Sequence, residues 1–105
     1  MARDLAFSVE RYVELVESLP HEDEAEEVIY TFLYRDEIHD ALKQGAKLSA
    51  RLVELLEAAD RRLLSMHGDL VQRFPEVFGR GVSAEYWWWH LDKGPQVREE
   101  AERAA

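Results

Sequence analysis

The chain contains no cysteine, only three prolines and five glycines, and no long apolar run. Without cysteine there is no disulfide framework, no thiol nucleophile, no iron–sulfur cluster and no structural zinc of the cysteine type. The longest apolar stretch, Val28 to Tyr34, is too short to cross a bilayer, so no membrane partner is expected. Met1-Ala2-Arg3-Asp4 leads into acid-bearing amphipathic sequence with no apolar h-region, so no secretory signal is expected and the predicted location is cytoplasmic. Basic residues are also scarce. Lysine and arginine number 13 against 22 acids, for a net charge of −9. The stretch 21–45 holds eight of those acids against Arg35 and Lys43. Such a field repels phosphate backbones, and the Arg61-Arg62 pair is a solubilising surface feature rather than a phosphate clamp, so nucleic acid is excluded as a partner.

What remains is an ordinary apolar content on a chain of 105 residues, enough for one domain with a small core. We place that domain at 1–95, with a charged, frayed tail at 96–105 that lacks an apolar face. Leu5, Val9, Tyr12, Val13, Val16 and Leu19 recur at intervals of three and four, the signature of a first helix. Ser8 is its expected N-cap, with Phe7 and Tyr12 as a staple, and Asp4 is the competing cap. Pro20 ends it.

A second helix opens among Glu22, Asp23 and Glu24, where acids meet the positive end of the dipole, and stops at Gly45. Within it Val28 to Tyr34 is β-branched and aromatic throughout, but a lone strand has nothing to pair with. As a helix this stretch is apolar nearly all round, so it is expected to have neighbours on more than one side. From Ala46 to Phe74 a single apolar stripe predicts one rod of roughly 28 residues and about 42 Å, with Gly68 as its weak point and Pro75 as its end. Ser83 opens a fourth, short helix, stapled by Val82 and Trp87, that closes at Gly94-Pro95. The predicted fold is all-α, an antiparallel three-helix bundle with the short Trp-rich helix packed across it.

Tyr86-Trp87-Trp88-Trp89-His90 is the most unusual local sequence. Successive helical residues turn by 100°, so the three indoles fan over about 200° and Tyr86 widens the arc to about 300°. One supporting surface covers about half a helix. The excess points to an interface built from Tyr86, Trp87, Trp88 and Trp89, with Tyr30 and Tyr34 from the apolar stretch. The leading expectation is a non-enzymatic interaction or assembly protein whose partner is a second copy of itself.

Asp36, Glu37 and His39 offer the alternative. A carboxylate and an imidazole three apart share one side of a helix, as metal ligands do, and Glu57, Asp60 and His67 on the third helix are candidates to complete a metal-binding or metal-dependent catalytic site. The competing explanation is an ordinary i to i+3 polar contact. A third possibility is a small-molecule pocket lined by Tyr30, Tyr34 and the tryptophans. No cofactor is implied. Ser8, Ser18, Ser49, Ser65 and Ser83 lie outside any nucleophile-elbow context, and neither His21 nor His90 neighbours an obvious nucleophile.

Overall fold

The computed structural model describes residues 4–104, all of whose regular structure is helical. Among them no helix is long and apolar enough to cross a membrane. Asp4 caps the first helix, α1 (Leu5–Ser18), by accepting from the Ala6 amide. Ser8, the expected cap, is instead buried inside α1 and donates to Glu37. A single 3₁₀ turn over Leu19–His21, carrying Pro20, ends the element.

The second helix, α2 (Ala25–Lys43), begins just after the acidic triplet and ends where Gly45 takes a φ of +99° that other residues rarely adopt. Ser49 caps α3 (Ala50–Ser65) by accepting from the Leu52 amide. The expected continuous rod is broken at Met66 (φ −106°, ψ 16°), and α4 (His67–Arg73) follows as a separate helix. The break lies ahead of Gly68 because two side chains take up carbonyls at the end of α3. The Ser65 hydroxyl donates to Arg62 O and His67 Nδ1 to Leu64 O, which ends the regular ladder there.

The Trp-rich segment is a 3₁₀ run over Trp87–Lys93, not an α-helix, and it is interrupted at His90. Residues 97–104, where the sequence predicts a frayed tail, form α5 (Val97–Ala104). Its Val97 is buried and Ala101 packs on the same core. Arg98 pairs with Glu57 on α3 and with Glu102 one turn on.

The all-α class expected from the sequence holds; α1 packs along both α2 and α3, and α4 and α5 pack on the Trp segment. Two apolar clusters result. Val9, Tyr12, Val16, Ile38, Leu52, Leu56 and Ala59 fill the space around α1. The larger cluster gathers Phe32, Leu63, Leu70, Phe74 and Phe78 around the three tryptophans. Arg73 ties the loop between α1 and α2 to α4: its guanidinium donates to the Glu22 and Leu19 carbonyls at 2.7 and 3.0 Å.

Candidate functional site

The buried stripe of α2 is Val28, Thr31, Phe32, Arg35 and Ile38, at helical spacing. A charged residue in that register needs a buried partner, and Asp60 of α3 supplies it. Arg35 Nε and Nη2 donate to the two Asp60 oxygens, both at 3.0 Å, and the Tyr12 hydroxyl donates to Oδ1 at 2.7 Å. The guanidinium lies 4.5 Å from the centre of the Trp88 ring and 5.9 Å from that of Tyr12. Tyr12 belongs to one apolar cluster and Trp88 to the other, so the ion pair is the joint between them. Burial, followed by the Asp60 charge, pushes the Tyr12 hydroxyl well above the usual tyrosine value.

About 100° round α2 from Arg35, the polar stripe Asp36, His39, Asp40 and Lys43 receives the Trp segment. Trp88 Nε1 and Trp89 Nε1 both donate to Asp36 Oδ1, at 2.8 and 2.9 Å. The Tyr86 hydroxyl donates to Asp40 at 2.6 Å. His39 Nε2 and Lys43 Nζ both donate to Glu85. The Asp36 carboxyl is raised chiefly by burial, which outweighs the two indole bonds that pull it down. Tyr86 is raised to about 12, first by its bond to Asp40. The acids and the aromatics that stand out in the sequence are therefore each other's partners.

This arrangement places both sets of expected site residues. Trp87, Trp88 and Trp89 are 4, 0 and 6% exposed, so the indoles are enclosed by their own chain. The geometric premise failed because a 3₁₀ run held in a niche is walled by Phe32 and Phe78, α4 and α5 on several sides. Tyr86 is half-buried against His39. The proposed metal ligands diverge: Asp36 takes the indoles, Glu37 receives Ser8 from α1, and His39 turns to Glu85. On α3 and α4, Glu57, Asp60 and His67 are engaged by Arg98, Arg35 and the Leu64 carbonyl. Among the described residues no three of His, Asp and Glu are grouped to hold a metal.

Val28–Tyr34 has neighbours on more than one side, α1 on one and the Trp-centred cluster on another, but its outer face is left open. Tyr30 and Leu33 are 51 and 45% exposed on the outer face of α2, and Phe7 on α1 is 50% exposed. The Phe7 and Tyr34 rings meet at 6.4 Å, joining the two helices into one aromatic-apolar surface. Beside it runs a groove of about 470 Å³ whose apolar wall is Leu15, Tyr30, Leu33 and Tyr34 and whose charged edge is Arg11, Glu27 and Glu37. Tyr30 and Tyr34 are thus the interface candidates that the fold leaves at the surface, Tyr34 in part. Phe7 and Leu33 escaped sequence reasoning, although a 3.6-residue register through Val28, Phe32 and Arg35 puts Leu33 outside that stripe. Comparison with models of protein families, with curated proteins and with solved structures finds no match to this chain.

Proposed function

We propose that this chain is a non-enzymatic interaction module that receives a basic amphipathic helix of a partner protein on the outer face of α1 and α2. The observation that carries this reading is the cluster of three half-exposed apolar side chains, Phe7, Tyr30 and Leu33, next to the groove between the helices. Tyrosine and phenylalanine contribute large contact area at low entropic cost, and an apolar helix face seats in such a groove by i, i+3, i+4 anchors. Charge selects the partner. Glu14, Glu26, Glu27 and Glu37 lie on the same two helices against Arg11, and the chain carries −9 overall. A second copy brings the same charge and the same acidic rim, so the face complements a basic helix better than it complements itself.

The test is calorimetric titration of the intact chain with a short Leu/Lys amphipathic helix and with a scrambled peptide of the same composition. The amphipathic peptide binds saturably, more weakly as salt rises, and the Tyr30→Ser/Leu33→Ser double variant loses on the order of tenfold or more in affinity, about 1.4 kcal/mol. Both side chains are half outside the core, so this variant keeps its fold. Equal binding of the scrambled peptide, or unchanged affinity of the variant, overturns the reading. Concentration-dependent self-association abolished by the same substitutions replaces it with a homodimer.

A further inference from the structure

The Arg35 guanidinium is only partly used. Its Nε and Nη2 are spent on Asp60, while Nη1 is buried with no hydrogen-bond partner among the described residues. Buried donors are paired in the great majority of cases, and one left on a charged group is a reason to look for what meets it. The Trp88 ring offsets part of the charge but offers no lone pair to the N–H groups.

Arg35 and Asp60 form part of the wall of a cleft of about 450 Å³ between the C-terminal end of α2, α3 and α5. Leu42, Leu48, Val53 and Leu56 make its apolar side. Its charged groups are Arg35, Lys47 and Arg98 against Glu57 and Asp60, a surplus of one positive charge on a chain of net charge −9. Asp60 is consumed by Arg35 and Tyr12, and Glu57 by Arg98, which leaves Lys47 with no ion-pair partner among the described residues. Apolar walls with a few convergent cationic donors are the usual make-up of a site for a small organic anion.

We propose that this cleft binds a small amphipathic carboxylate, its carboxyl group taken by Arg35 and Lys47 and its hydrocarbon part laid along Leu48, Val53 and Leu56. The occupant is a free small molecule. The site is separate from the α1/α2 face and stands or falls without it.

Octanoate is the probe, with 1-octanol and inorganic phosphate as controls, followed by calorimetry and by the side-chain Nε–H resonance of Arg35 in the intact protein. Octanoate binds saturably and moves the Arg35 signal, and neither control matches it. Replacing Arg35 itself risks unfolding, so the deciding variants are Lys47→Glu and Val53→Trp, both at exposed positions. Each weakens octanoate by at least about tenfold and leaves the thermal unfolding of the free protein in place. The proposal is overturned if octanoate does not bind, if 1-octanol or phosphate binds as well, or if the two variants bind octanoate with unchanged affinity.

Discussion

At the scale of single residues the decisive group is Asp60, because it holds a buried cation and a buried hydroxyl at once. Asp60→Ala strands Arg35 between two apolar clusters and is expected to cost about 3–5 kcal/mol in urea unfolding, whereas Tyr12→Phe, which removes one bond to a charged acceptor, costs roughly 1.5–3 kcal/mol. The same tyrosine sets an alkaline limit. Tyr12 and Tyr86 hold their protons more tightly in the folded chain than in the unfolded one, Tyr86 up to about 12. Their contribution is therefore complete below the usual tyrosine value near about 10 and drains away as pH rises through the folded values. Unfolding midpoints measured from neutral pH upward fall across that window, and less steeply in Tyr12→Phe. In the sequence Asp60 stood only as one of three third-helix candidates, with Glu57 and His67, to complete the alternative metal site, and its actual partner is a guanidinium. Arg35 gave the missing signal, a cation in register with Val28, Phe32 and Ile38, and only a contact 25 residues away completes it.

At the scale of elements, the sequence read correctly where the cause is local. The stop of α2 at Gly45 follows from backbone preference within a few residues, whereas α3 starts at Ala50 behind a Ser49 cap and not at the expected Ala46. Gly45→Ala forces an L side chain into a positive φ and is expected to cost about 1 kcal/mol, with chemical denaturation as the check. What escaped is what depends on remote partners. Helical periodicity alone could not foresee that Asp36 would draw Trp88 and Trp89 into a 3₁₀ run, nor that Val97 and Arg98 would dock α5. Asp36→Ala leaves two buried indole donors unmet and is expected to cost on the order of 2 kcal/mol or more, with faster exchange of both indole protons. The Arg98 bond, first, and the Arg98 charge hold Glu57 below the usual glutamate range. That contribution is present at neutral pH and is lost as pH falls from the usual glutamate value through the lowered folded one, so amide exchange in α5 accelerates in acid before that of α1. Asp36 works the other way, since a raised carboxyl favours the fold as pH falls, and it does not mask the release of α5.

At the scale of the whole molecule, the tryptophans belong to the interior, and the interaction face we propose lies on the outer side of α2. One face of that helix is committed to Arg35, Asp36, His39 and Asp40 and everything they hold; the other leaves Tyr30 and Leu33 half in water beside Phe7. An acidic helix pair with an apolar ridge is a receiving surface for a basic amphipathic helix. The most direct measurement is a residue-resolved NMR titration of the intact chain with the Leu/Lys helix. Salt-sensitive, saturable shifts at Phe7, Arg11, Tyr30 and Leu33, with the indole N–H signals of Trp88 and Trp89 unmoved, are the predicted result. Shifts or exposure of those indole signals while the α1 and α2 amides stay in place contradict it.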